Sequence, residues 1–163
     1  MSPIPGAAQK LLKHPAGWIA SGFGSGLAPR APGTFGSLAA LIPWLALREL
    51  PLVSYLVALA VAFAIGVWAC EWTMRRLAVH DPGLVVWDEF VGLWIALIAV
   101  PAHWGFVVAG FVLFRLFDIL KPWPIGWADR SIKGGFGTMV DDALAGLCAL
   151  AGVQALAWWL GTP

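Results

Sequence analysis

Five apolar stretches, Phe35 to Leu47, Leu52 to Met74, Leu84 to Val100, Trp104 to Leu120 and Ala143 to Leu160, constrain this chain more than any other feature. They consist mostly of Leu, Ala, Val, Ile, Phe and Trp without strict alternation, which suits helices better than strands. In lipid the preference hardens, because a membrane segment has no water to satisfy its backbone and a helix closes its own hydrogen bonds. Hydrophobic residues make up 60% of the sequence and charged residues 12%, about half the charged share of a soluble domain. The second stretch is long enough to cross a bilayer, and the others fall short of the roughly 20 residues of a full span. The expected fold is therefore all-α, a compact multi-helix membrane bundle of about five apolar helices, with room for tilted or re-entrant pieces. Nothing reads as a low-complexity linker, so residues 1–163 are expected to form a single membrane-embedded domain.

The connectors differ in kind. "RELP" and "PAHW" are brief turns with few charges, whereas the N-terminal segment, "RRLAVHDPG" and "KPWPIGWADRSIKGGFGTMVDD" are long and charged. One crossing per apolar stretch puts all three charged segments on one side. That side then carries Lys10, Lys13, Arg30, Arg75, Arg76, Arg115, Lys121, Arg130 and Lys133, and leaves Arg48 alone among the bases on the other. An excess of bases marks the cytoplasmic face. Asp81, Asp88, Glu89, Asp118, Asp129, Asp141 and Asp142 collect there as well, with Glu71 close by. The net charge of +1 offers no basic surface for nucleic acid. Cys70 and Cys148 lie inside apolar stretches and are expected to act as small hydrophobes with no disulfide between them. The N-terminus, with Pro at positions 3, 5 and 15, does not read as a signal peptide.

Acids in apolar surroundings are costly unless paired, protonated or bound to a cation. Asp88 and Glu89 stand at a helix start, and Asp141 and Asp142 repeat the pattern before the last apolar stretch. A cap on the helix dipole is the plainer account of each pair. Together with Asp118 they offer hard oxygen ligands that suit magnesium, while His14, His80 and His103 are too scattered to bind zinc. Arg115 and Asp118, three apart, also fit a simple salt bridge on a helix. Two Gly-rich segments, "SGFGSGLAPRAPGTFGS" and "KGGFGTM", could each cradle a phosphate, although glycine in a membrane protein more often serves helix packing.

No Walker lysine follows these glycines, which argues against a P-loop enzyme. Cys70 precedes Arg76 by six positions, as in a cysteine phosphatase loop, but it ends a helical apolar run and lacks the glycines such a loop needs. No histidine stands in a Gly-rich or Arg-rich loop as a nucleophile, and after "GTMVDDALA" the third aspartate of a CDP-alcohol transferase is missing. What remains is metal-assisted attack on a phosphate ester by water or by an aspartate, with a lipid-borne substrate.

Three motifs in order, "GSGLAPRAPGTFGSLAAL", "VVWDEFVGLWIAL" and "FRLFDILKPWPIGWADRSIKGGFGTMVDDALAG", closely resemble the phosphatidylglycerophosphatase A family over roughly Gly22 to Gly146. The family pattern matches Pro32, Gly33, Thr34, Gly36 and Ser37; Asp88 and Glu89; Arg115, Asp118, Lys121, Pro122 and Pro124; and Asp141 and Asp142, with His80 and Asp81 as a weaker "HD" element. The resemblance implies a magnesium-dependent, multi-pass enzyme of the bacterial inner membrane that hydrolyses phosphatidylglycerophosphate to phosphatidylglycerol and phosphate on the cytoplasmic side. Its partners would be that substrate and membrane lipid. Within it, Asp88, Glu89, Asp118, Asp141 and Asp142 are expected to hold Mg2+ or activate the nucleophile, Arg115 and Lys121 to neutralise the phosphate, and Thr34 and Ser37 to donate to its oxygens. An aspartate nucleophile and attack by activated water both fit. The remaining alternatives are a phosphatase for another phosphorylated lipid or small ester, and a non-catalytic binder of anionic lipid.

Overall fold

The computed structural model describes residues 11–79 and 82–162; His80, Asp81 and Lys10 lie outside the described residues. Among the described residues there is no strand, and the helices are α1 (Pro15–Ala20), α2 (Pro32–Leu47), α3 (Leu52–Leu77), α4 (Trp87–Ala96), α5 (Trp104–Leu120), α6 (Ile125–Ser131) and α7 (Gly134–Trp159), with a 3-10 turn at Ser25–Leu27. The five apolar stretches thus become α2, α3, α4, α5 and α7. Prolines set several boundaries: Pro32 opens α2, where a missing N–H costs nothing, and Pro51 stands at the N-cap of α3. His103 caps α5 through Nδ1, which accepts from the Gly105 N–H at 3.0 Å. Lys121 ends the same helix in a left-handed conformation, at φ 42°, and Pro122 prevents its continuation.

Two helices, α3 and α7, are long and apolar enough to cross a membrane. Their apolar windows are only 22% and 39% buried inside the protein, so most of that surface faces outward. Ile42, Val53, Val57, Val108 and Val112 are likewise more than half exposed, which gives the bundle an apolar exterior.

The third stretch departs from the expectation of a crossing helix. Only Trp87–Ala96 is helical, and ten residues rise about 15 Å, roughly half the hydrocarbon thickness. Helix α4 is instead the buried axis of the bundle, packed against α2, α3, α5 and α7. Its tryptophans tie it down: Trp87 Nε1 donates to the Ala62 carbonyl of α3 at 3.0 Å, and Trp94 Nε1 to the Ala40 carbonyl of α2 at 2.9 Å. Tyr55 of α3 donates in turn to the Trp94 carbonyl at 2.7 Å.

The last stretch departs in the opposite sense. Its helix begins at Gly134, so "KGGFGTM" is the opening of α7 and not a phosphate-cradling loop. Close packing explains the glycines. A Cβ on Gly135 would run into the Val67 carbonyl and the backbone of Glu71 in α3, and its N–H is taken by Glu71 Oε2 at 2.7 Å. The same economy recurs between α4 and α7, where a Cβ on Gly146 would strike the Gly92 carbonyl. Such contacts matter in lipid, where close van der Waals approach replaces water exclusion as the force between helices.

Candidate active site

One cleft of about 280 Å³ collects most of the charged side chains singled out in the sequence. Its wall takes Gly33 from the first turn of α2, Asp88 and Glu89 from the first turn of α4, and Arg115 and Asp118 from the end of α5. Lys121 follows from the α5 C-cap, Asp129 from α6, and Thr138, Asp141 and Asp142 from α7. Asp141 and Asp142 therefore lie two turns inside their helix, and capping its N-terminus falls to Glu71. Asp88 does serve its own helix in part, since its Oδ1 accepts the Glu89 N–H at 3.1 Å.

The acids divide into two groups. Carboxylate oxygens of Asp88, Glu89 and Asp142 all lie within 4.8 Å of one another. Asp88 and Asp142 are 7% and 4% exposed, and Glu89 Oε2 and Asp142 Oδ2 are buried with no hydrogen-bond partner among the described residues. Asp141 belongs elsewhere: its Oδ2 takes a hydrogen bond from Lys121 Nζ at 2.6 Å, and Lys121 also reaches Asp129 Oδ1 at 2.6 Å. Burial acts to lower the Lys121 ammonium, but the hydrogen bonds from Asp129 and Asp141 outweigh it and hold the group above the ordinary lysine range. The Lys121 hydrogen bond holds Asp129 below the ordinary aspartate range, against a smaller opposing effect of burial.

Arg115 is the second base of the cleft. It pairs with Asp118 Oδ2 at 2.7 Å, the i,i+3 bridge foreseen from spacing, and approaches Glu89 Oε1 at 3.8 Å. Its Nη1 also reaches Ser37 Oγ at 3.5 Å. Ser37 is fully buried and donates its proton to the Gly33 carbonyl at 2.9 Å, so it steadies Arg115 more directly than it could serve a ligand. Thr34 is not among the residues lining the cleft.

Six cleft carboxylates, those of Asp88, Glu89, Asp118, Asp129, Asp141 and Asp142, face only two bases, Arg115 and Lys121. Acids in such excess are costly unless they are protonated or neutralised by a cation. The all-oxygen set of Asp88, Glu89 and Asp142, with two buried oxygens lacking partners, fits a hard divalent ion such as magnesium.

Gly33 and Asp129 carry more of the site than residue type suggests. A Cβ on Gly33 would meet the Glu89 carboxylate and the Arg115 guanidinium, so glycine there lets the backbone of α2 approach both groups. The "PGT" motif contained that residue but not the reason for it. Asp129, eight positions from Lys121, would stand two turns away, about 12 Å, on a continuous helix; the turn between α5 and α6 brings the two together. Cys70 is buried in α3 and is not among the cleft residues.

Comparison with known proteins gives the arrangement a family. The chain is 48% identical over 137 residues to phosphatidylglycerophosphatase A of Escherichia coli (strain K12), covering 83% of this chain and 80% of that protein. It is 46% identical over 151 residues to phosphatidylglycerophosphatase A of Haemophilus influenzae, covering 91% and 93%. A Bacteroides thetaiotaomicron protein, provisionally named a phosphatidylinositol-3-phosphatase, is 43% identical over 151 residues, covering 88% of this chain and 94% of its own. No solved structure matches the chain. The model of the phosphatidylglycerophosphatase A family matches residues 18–157, a span that contains every residue of the cleft, and the chain belongs to that family.

Proposed function

We propose that this chain is a magnesium-dependent phosphatase that converts phosphatidylglycerophosphate to phosphatidylglycerol and phosphate at the cytoplasmic face of a bacterial inner membrane. The observation that carries the reading is the grouping of Asp88, Glu89 and Asp142 within 4.8 Å, in the same cleft as Arg115 and Lys121. Asp88, Glu89 and Asp142 would hold the ion, which when bound would act as a Lewis acid on the phosphate oxygens and leave phosphorus more electrophilic. Arg115, held by Asp118 and Ser37, and Lys121, held by Asp129 and Asp141, present preorganised positive charge to a phosphoryl group. A cleft carboxylate either attacks phosphorus or takes the proton of an attacking water. Of the described bases, Arg30, Arg75, Arg76, Arg115, Lys121, Arg130 and Lys133 lie in or near the segments at the cleft end, which favours the cytoplasmic assignment.

The name of the Bacteroides relative favours a second reading, in which the same chemistry acts on a phosphoinositide. Phosphate release by purified protein in mixed micelles, measured on phosphatidylglycerophosphate and on phosphatidylinositol 3-phosphate across a magnesium titration, separates these readings. Release from the first lipid that vanishes with chelator and returns with magnesium is the expected result. Preference for the second lipid moves the substrate assignment, and no release from either supports a lipid-binding protein without catalysis.

A further inference from the structure

Exposed tryptophans stand at both ends of the bundle's apolar exterior. On α5 the exposed side chains Val108, Val112, Leu116 and Ile119 follow one another at helical spacing toward the cleft end. Trp104 opens that helix at the far end, where Trp158 and Trp159 also close α7, and all three are exposed. Past the last turn of α5, at the cleft end, come Trp123, 84% exposed, and Trp127, 56% exposed. The 17 residues of α5 rise about 25 Å, close to the thickness of a hydrocarbon core. Tryptophans at the two ends of such a stripe occupy the places of the aromatic belts that mark the two head-group layers.

Helix α6 gives the cleft-end tryptophans charged company. Its Ile125, Gly126 and Ala128 are buried, and the helix packs against α7. Trp127, Arg130 and Ser131 are the exposed positions, spread over about 100° of the helix circumference. That face holds no acid, since Asp129 turns toward the cleft and binds Lys121. Arg130 has no ion pair among the described residues. Lys133, exposed at the N-cap of α7, donates to the Asp129 carbonyl at a long 3.4 Å. Indole rings beside bases match the surface of an anionic leaflet, where the ring meets glycerol and upper acyl chain and the base meets phosphate.

We propose that α6 and the turn before it form a membrane-interface anchor, with Trp123 and Trp127 sunk in the head-group layer of the cleft-side leaflet and Arg130 on the phosphates of anionic phospholipid. The anchor lies outside the cleft and does not depend on the reaction assigned there. Because Asp129 sits on the opposite side of the same short helix, a docked α6 sets Lys121 and the cleft at the depth of the lipid phosphates.

The depth of a nitroxide on α6 tests the anchor without an activity assay. Full-length protein with Ser131→Cys, and with Cys70→Ser and Cys148→Ala to leave one thiol, is spin-labelled and reconstituted in vesicles of phosphatidylcholine, with or without phosphatidylserine. Phosphatidylserine is anionic but is neither substrate nor product of the reaction proposed for the cleft. Electron paramagnetic resonance then compares relaxation by oxygen, which concentrates among acyl chains, by a soluble nickel chelate, and by nickel tethered to lipid head groups, each scaled to its own reference label. The tethered nickel is expected to relax the label most strongly. Trp123→Ala with Trp127→Ala should shift the label toward the soluble chelate. Phosphatidylserine should raise the docked-to-free ratio, and Arg130→Gln should lower that ratio roughly fivefold in its presence, the worth of one base beside an anionic leaflet. Should the tryptophan variant fail to fold, the depth of the label in the parent protein and the Arg130→Gln comparison carry the test. Strongest relaxation by the soluble chelate places α6 in water, and strongest relaxation by oxygen places it among acyl chains; either overturns the proposal. So does a label depth that ignores the loss of both tryptophans, or a phosphatidylserine effect that is absent or that Arg130→Gln retains in full.

Discussion

At the scale of single residues, a side chain's neighbours matter more than its type. Glycine at position 33 is required because any larger residue would push on Glu89 and Arg115 together. Gly33→Ala is expected to cut kcat roughly 100-fold, the cost of displacing catalytic groups by about an ångström, with little change in folded helix content by circular dichroism. Wild-type turnover in that variant would mean that Glu89 and Arg115 need not be held where they are. Asp142→Asn removes a ligand from the proposed ion site and should lower activity at least 100-fold, roughly the upper end of what an outer-sphere change costs, with partial rescue at high magnesium. The same substitution at Asp118 tests the pairing directly. Asp118 lies outside the three-carboxylate group and bonds Arg115, so Asp118→Asn should lose activity without a large change in magnesium dependence. Cys70→Ser should keep near-normal turnover, because that thiol is buried in α3 away from the cleft. A thousandfold loss with the fold intact would restore a cysteine mechanism.

Helix packing is what converts scattered acids into a site. Asp88 and Glu89 meet Asp142 because α4 and α7 cross at Gly92 and Gly146, where a Cβ on Gly92 would sit 2.8 Å from the Asp142 carbonyl oxygen. Gly146→Ala should wedge these helices apart and weaken magnesium activation roughly tenfold, measured as the metal concentration for half-maximal rate. An unchanged magnesium curve would detach the ion site from this crossing. The direction of the helices also has a consequence for topology. Residues at the cleft open α2, α4 and α7 and close α5, while Leu52 and Tyr55 place the start of α3 at the far end. The five apolar helices thus alternate in direction between the cleft end and the far end, so a reporter fused after Gly161 is expected on the side opposite the cleft. A cytoplasmic signal from that reporter, with a cytoplasmic cleft, would rule that expectation out.

For the molecule as a whole, function works against stability. Six carboxylates against two bases in one cleft cost folding free energy, and a cation bound at the proposed ion site would offset that cost. Magnesium should therefore raise the Tm of the wild-type protein, by an amount corresponding to about 2.7 kcal/mol when its concentration is 100 times the dissociation constant. Asp142→Asn should melt higher than wild type in chelator and gain less from magnesium. A Tm indifferent to magnesium in both proteins would argue that the acids balance among themselves. The apolar exterior and the two long helices make the bilayer part of this balance, since the helices close on one another through glycine contacts and not through water exclusion.

Sequence by itself determined the helical class, the number of apolar helices and the side on which the charges gather. These follow from hydropathy and from the charge of connectors, which are properties of consecutive residues. It also marked Asp88, Glu89, Arg115, Asp118, Lys121, Asp141 and Asp142 as candidates for the chemistry, because a charge in an apolar chain is costly wherever the chain folds, and these seven share one cleft. Tertiary structure alone decided how they are shared out. Asp142 joins Asp88 and Glu89 while its neighbour Asp141 turns to Lys121, since adjacent residues on a helix point about 100° apart and face different partners. It decided too that "KGGFGTM" is helix, that α4 is a buried axis too short to span, and that Ser37 supports Arg115 while Thr34 stays outside the cleft. Each of these depends on which helix packs beside which, and no local pattern carries that information.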